Sequence, residues 1–329
     1  MTPESDWRPP PGVPESLLPG APAHDPDDPT ESAVVRRLAD NWHRRAAVKR
    51  DEADLDALFD PGRPDYPERI LPFHDHPAYR QLEPDARTRL LAWAWIAYNH
   101  RTVQAEQYVV NAAFAQALDG AYAGARGEAL RRSVAQAMVD EQYHSLMHLD
   151  ASALTHRRRG LPGAVTDLPP PCTVRDHAAL CEAADESWQR PLITLAFAVV
   201  AEMSVNAYLD LLADDTRIQP VNSATVRLHS RDEYCHASIT AVLAETVFHR
   251  LDADRRHRFL GLLGRGLTAF AATDWASWRR VMELARIPNG ERILDDCRAD
   301  PSRRLLVRDH SGLRALVDRL GATGQVEFS

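Results

Sequence analysis

Residues 226–238 read VRLHSRDEYCHAS. Wound as a helix, they put His229, Glu233 and His236 at i, i+4 and i+7, so at 3.6 residues per turn the three side chains share one narrow stripe. Three potential metal ligands then face the same way. One stripe cannot surround an ion, so the remaining donors must come from other helices. A second Glu-x-x-His stands at Glu141 and His144 in VDEQYHSLMH; at i and i+3 the two lie about 60° apart around a helix, near enough to grip one metal. Lone carboxylates come from Glu106 in QAEQY and Glu202 in VVAEMSVN. Both sit in apolar surroundings, where an unpaired carboxylate would be costly.

The order Glu, then Glu-x-x-His, occurs twice, with 35 residues from Glu106 to Glu141 and 31 from Glu202 to Glu233. Each interval is long enough to leave the middle of a bundle, turn and return on a neighbouring helix. One Glu on each of two helices and a Glu-x-x-His on each of two others make the donor set of a ferritin-like dimetal site. The expected fold is therefore all-α, a ferritin-like four-helix bundle with additional flanking helices. His229 exceeds the minimal set by one imidazole. One turn before Glu233, it is either a seventh ligand, the reading we favour, or a hydrogen-bond partner that holds Glu233.

The helices follow outward from the site. Residues 1–31 hold 9 of the 23 prolines among acidic and small residues, a composition expected of a disordered tail, which leaves 32–329 as the ferritin-like domain. Ser32 is the expected N-cap of a first helix. The Pro-punctuated stretch DPGRPDYPERILPFHDHPAY reads as an extended arm, and its alternating Pro and Asp assign His74 and His76 to turns rather than to a metal. Helices are expected over 84–118, 128–156, 174–189, a segment carrying Glu202 and Asn206, 219–250 and 252–286, with short helices after Pro288-Asn289-Gly290. The loop GLPGAVTDLPPPC is the natural crossover between two helix pairs. His148, one turn beyond His144, is either a support for the ligands or plain core.

Composition narrows the function. A net charge of −8 argues against nucleic acid and anionic membrane as partners. No basic-then-apolar leader opens the chain, and the most apolar run stops at Glu202, too short to span a bilayer. The four cysteines show no Cys-x-x-Cys spacing, so neither an iron–sulfur cluster nor a zinc ribbon is indicated, and a reduced, cytoplasmic protein is expected. Four carboxylates balance two divalent ions, and oxygen-rich ligation mixed with imidazole fits iron or manganese, with iron favoured for redox chemistry.

At this point the chain resembles the dinuclear-iron arylamine N-oxygenases, the family that includes the p-aminobenzoate and chloramphenicol-pathway enzymes. The likeness runs over most of the chain after residue 32, in RRAAV, PDYPERILPF, WIAYN, VDEQYHSLMH, VVAEMSVNA, IQPVNS, LHSRDEYCH and LVRDHSG. The extra histidine belongs to the family pattern as HSRDEYCH. The resemblance implies a diiron ligand set of Glu106, Glu141, His144, Glu202, His229, Glu233 and His236. It further implies dioxygen as cosubstrate, an external electron donor, and oxidation of a small aromatic amine through hydroxylamine and nitroso stages to a nitro group. The setting implied is antibiotic biosynthesis, with a chloramphenicol-type aminophenyl substrate preferred to p-aminobenzoate. Tyr98, Arg101 and Asn206 are candidate substrate contacts; a redox partner and a homodimer are compatible with the sequence. Two other classes use the same ligands: iron oxidation or storage as in ferritins, and a radical-generating diiron subunit, for which Tyr98, Tyr143 and Tyr234 would be the tyrosines near the metals.

Overall fold

A computed structural model describes residues 32–50, 54–303, 305–307 and 309–328. The tail expected over residues 1–31 lies outside them. Helix α1 (Ala33–Arg45) begins where expected, with the Ser32 hydroxyl accepting the Val35 N–H at 3.4 Å. The Pro-rich arm follows with two short helices, α2 (Leu55–Leu58) and α3 (Pro77–Arg80); His76 caps the second by accepting the Ala78 N–H. The main helices come next. These are α4 (Pro84–Ala105), continued through a π turn (Glu106–Val110) into α5 (Asn111–Leu118), then α6 (Glu128–Arg159), α7 (Cys172–Glu182), α8 (Gln189–Leu209) and α9 (Pro220–Arg250). Four more close the chain: α10 (Ala253–Ala271), α11 (Trp275–Leu284), α12 (Gly290–Arg298) and α13 (Ser311–Arg319).

The ferritin-like core pairs α4 with α6 and α8 with α9, and α6 also packs on α9. Between the pairs, the chain crosses over through the 160–171 loop and α7, which packs on α8 and α10. Gly160 makes the crossover possible by adopting φ 58° at the end of α6, where Leu161 N–H returns to the His156 carbonyl and Arg157, Arg158 and Arg159 oppose the helix dipole. Helix α8 is the bundle's axis. It is long and apolar enough to cross a membrane by composition, but 83% of its apolar window is inside the protein. It is covered by α9, α10, α7, α13 and the π turn. Burying side chains such as Leu195 or Phe197 on it stabilises the fold by about 1.5–3 kcal/mol each.

Four expected boundaries change, each for a physical reason. The helix expected over 84–118 is widened by one residue at Glu106, the π turn that aims that carboxylate inward. The helix expected to end at 156 runs one turn further, to its Gly160 cap. That expected over 174–189 stops at Glu182, and Gln189 instead opens α8, with Pro191 in the first turn where its missing N–H costs nothing. The helix expected over 252–286 breaks after Ala271. There the distant Arg303 and Leu306 compete for the backbone: Leu306 N–H donates to the Ala271 carbonyl, the Thr273 hydroxyl donates to the Arg303 carbonyl at 2.7 Å, and Asp274 caps α11.

Candidate metal centre

Glu106 comes from the π turn, Glu141 and His144 from α6, Glu202 from α8, and His229, Glu233 and His236 from α9. All seven are buried, none more than 3% exposed. Six of them form two overlapping quartets of converging donor atoms, Glu141–His144–Glu233–His236 and Glu106–Glu141–His229–Glu233. Glu141 and Glu233 belong to both, so each would lie within reach of either of two ions. Glu202 stands outside both quartets, yet its Oε2 is buried without a hydrogen bond.

The donor atoms approach one another as a metal cage would require. His236 Nδ1 is 2.6 Å from Glu141 Oε1, and His229 Nε2 is 2.8 Å from Glu233 Oε1 and 3.7 Å from Glu106 Oε1. His144 Nδ1 lies 3.1 Å from Glu141 Oε2 and 3.3 Å from Glu233 Oε1. Three carboxylate oxygens, Glu106 Oε2, Glu202 Oε2 and Glu233 Oε2, are buried without a hydrogen-bond donor. Buried lone pairs left without donors are costly unless a cation satisfies them. The residues fit two metal ions.

What holds the imidazoles in place was not foreseen from the sequence. Asp140 and Asp232, each just before a ligand Glu, cross between helices: Asp140 Oδ2 is 3.1 Å from Nε2 of His236 on α9, and Asp232 Oδ2 is 3.2 Å from Nε2 of His144 on α6. Each aspartate therefore takes the Nε2 proton and leaves Nδ1 facing the cage. Arg45 sits 3.7 Å from both aspartates. The signal was legible as Asp-Glu-x-x-His occurring twice, one carboxylate more per motif than the cage uses.

His229 is set by a different chain. The Asn99 amide donates to the Trp95 carbonyl at 3.0 Å, which turns its Oδ1 toward His148 Nδ1; His148 Nε2 is 2.9 Å from His229 Nδ1. With Oδ1 an acceptor, His148 must donate from Nδ1 and accept at Nε2. His229 must then donate from Nδ1, so its Nε2 offers a lone pair to the cage. His148 thus orients His229. Burial, and next the charges of His229 and His144, hold its pKa well below the usual value, so it stays neutral and able to accept.

The charges in the cage sort themselves without metal. Burial, then the neighbouring carboxylates, push Glu106 and Glu202 well above the usual range. Burial also acts to raise Glu141 and Glu233, but the imidazoles outweigh it, holding Glu141 well below its usual value and Glu233 at about 2. Against burial, bonds to Asp232 and Glu141 raise His144 to about 9, and the Glu141 and Glu233 charges raise His236 well above its usual value. Two carboxylates, two imidazoliums and two neutral acids sum to zero, the same total as four carboxylates with two divalent ions.

The candidate substrate contacts lie apart from the quartets. Tyr98 stacks between Trp95 and Tyr208 at centroid distances of 5.5 and 4.4 Å. Arg101 lies over the Tyr208 ring and donates to the Phe270 carbonyl. Asn206 has an Oδ1 buried without a partner, one turn after Glu202. Tyr234 is 64% exposed and points out of the bundle.

Residues 28–321 match the family model described as p-aminobenzoate N-oxygenase AurF. The chain belongs to this family. As a member it is a non-haem diiron N-oxygenase. It is similar to the 4-aminobenzoate N-oxygenase of Streptomyces thioluteus, 36% identical over 302 residues, covering 90% of this chain and 89% of that one. A solved structure of a variant R2-like ligand-binding oxidase with an aerobically reconstituted Mn/Fe cofactor aligns over 91% of this chain and 95% of its own, at 15% identity and a TM-score of 0.42.

Proposed function

We propose that this N-oxygenase converts a primary aromatic amine to the nitro compound through hydroxylamine and nitroso stages, with Glu106, Glu141, His144, Glu202, His229, Glu233 and His236 holding its two irons. Family membership joined to a buried cage of unsatisfied lone pairs is the observation that carries the reading. The iron pair, when bound, supplies the activation of dioxygen. Glu141 and Glu233, whose oxygens converge with both sets of donors, would help to hold the pair; the crossed aspartates keep Nδ1 of His144 and His236 free, and His148 presents Nε2 of His229. Taking an amine to a nitro group with two dioxygen molecules needs two electrons and two protons from outside and releases two waters. The electrons come from a donor protein or from the reaction's own intermediates.

The substrate class is a 4-aminophenyl compound. The Streptomyces relative acts, by its name, on 4-aminobenzoate, whereas the sequence resemblance leans toward a chloramphenicol-type aminophenyl substrate in antibiotic biosynthesis. Of the three candidate contacts, Asn206 has the best support, because its buried oxygen lacks a donor; Arg101 already serves a carbonyl and a ring. Four cysteines without disulfides suit a reducing, cytoplasmic setting. The test is to purify the protein under reducing, iron-replete conditions, count iron, and offer both substrates with dioxygen and reductant. About two irons and a nitro product are expected. A protein without iron, or one that accumulates a mineral core and leaves both amines untouched, would refute the reading.

A further inference from the structure

A hydrogen-bonded path leads from the metal cage to the surface where α1 meets α6. Asp140, fully buried, accepts the Trp42 indole N–H at 2.8 and 2.9 Å while lying 3.1 Å from His236 Nε2. Two hydrogen bonds thus join a half-buried indole to an imidazole whose other nitrogen faces the cage. The ammonium of Lys49, the only lysine in the chain, stands 4.7 Å from the Trp42 ring. On the same segment of chain, His43, Arg44, Lys49 and Arg50 are all exposed. On a chain of net charge −8, Arg44, Lys49 and Arg50 make this stretch of the described surface cationic. The nearby acid Asp40 is paired with Arg132. The same segment is tied down from behind: Ala47 N–H donates to Asp232 at 3.0 Å, and Arg45 lies between Asp140 and Asp232. A positively charged segment, anchored at Ala47, therefore carries the outermost ring of a path that ends on a proposed ligand.

We propose that this patch receives an acidic one-electron carrier protein, and that Trp42, Asp140 and His236 conduct its electrons to the iron centre. The inference rests on the ligand set proposed above. Two reduced carriers each lose one electron, and the two ferric ions of the resting centre each gain one. No bond is made or broken, and the three side chains end in the protonation states in which they began. Electron transfer through protein falls steeply with distance, and a hydrogen-bonded path is shorter than any gap through space that would replace it. Opposite charge on the carrier steers encounter and raises the rate of association by about 10- to 1,000-fold at low salt.

An acidic two-iron ferredoxin serves as the probe, with the full chain in iron-loaded and metal-free forms. Titration calorimetry at low and high salt reads docking. Binding by the wild type is expected to weaken with salt and on the order of tenfold for each of Arg44→Glu and Lys49→Glu. Anaerobic stopped-flow reduction of the ferric centre reads transfer. Trp42→Phe, which keeps an aromatic ring but loses the N–H, is expected to bind the ferredoxin as the wild type does and to accept its electrons at least about tenfold more slowly at saturation. Iron content and circular dichroism are checked on every variant, and if Trp42→Phe fails to fold or hold iron, Trp42→Leu, which likewise has no donor, replaces it. Salt-independent binding, no binding by the wild type, or wild-type binding by both charge-reversed variants overturns the surface. Wild-type transfer at saturation in the Trp42 variant overturns the route. A wild type without iron refutes the metal centre instead, while docking to the metal-free chain still tests the surface.

Discussion

Replacing His148 tests the tautomer argument for His229 without touching a proposed ligand. In His148→Phe the ring volume is kept, along with contacts near Trp95 and Tyr98, whose ring centroids lie 6.5 and 6.4 Å from that of His148. Two buried groups lose their partners, the Nδ1–H of His229 and the Oδ1 of Asn99. Each such loss costs about 1–3 kcal/mol. His229 can escape part of that cost by moving its proton to Nε2, where Glu233 is 2.8 Å away, but it then has no lone pair for metal. Loss of the support is expected to weaken binding of one of the two irons by about 10- to 100-fold. His148→Gln, which can accept from His229 and donate to Asn99, should restore most of it. Iron titration of the metal-free variants under reducing conditions gives the affinities, and nitrogen NMR of labelled imidazoles reads which ring nitrogen carries the proton. Equal iron affinity and an unchanged His229 tautomer in His148→Phe would refute the relay.

The remaining expectations concern charge and packing. Glu106→Gln and Glu202→Gln each replace a carboxyl that is already neutral in the metal-free protein, so thermal unfolding of that form should move little while iron binding falls sharply; equal loss of stability in metal-free and loaded protein would contradict the charge assignment. Iron loading must displace protons from Glu106, Glu202, His144 and His236, whose pKa values are raised, and none from Glu141 or Glu233, whose values are depressed. Affinity should therefore rise from neutrality toward about 9, with up to four protons released per pair of irons, measurable with an indicator dye; a pH-independent affinity would count against it. Gly312→Ala would put a methyl 2.7 Å from the Met203 carbonyl, the residue after Glu202, and should destabilise the fold by about 1–3 kcal/mol while loosening α13 from α8; an unchanged melting temperature would show that the two helices part freely.

The sequence by itself determined which candidate donors share a helix face, because helical periodicity is local: residues three, four and seven apart share a face wherever the helix sits. His229, Glu233 and His236, the Glu141–His144 pair, and two lone glutamates in apolar runs could all be read without coordinates. So could the four-helix class, since two Glu, Glu-x-x-His halves have few other ways to converge. Local signals also found Ser32 as a cap and Gly160 as the break before the crossover. Tertiary structure alone decided how the ligands are aimed. Asp140 reaches His236 and Asp232 reaches His144 across 96 and 88 residues of sequence, and His148 meets His229 across 81. Spacing along one helix carries no information about which partner lies opposite. The break after Ala271 is of the same kind: an uninterrupted apolar pattern yields there to bonds from Leu306 and Arg303, more than thirty residues away or nearly so, because unpaired backbone groups take the partner that packing brings. The π turn at Glu106 likewise answers to the cage it serves, since the residues around it have ordinary helical preferences and only the carboxylates opposite distinguish the position.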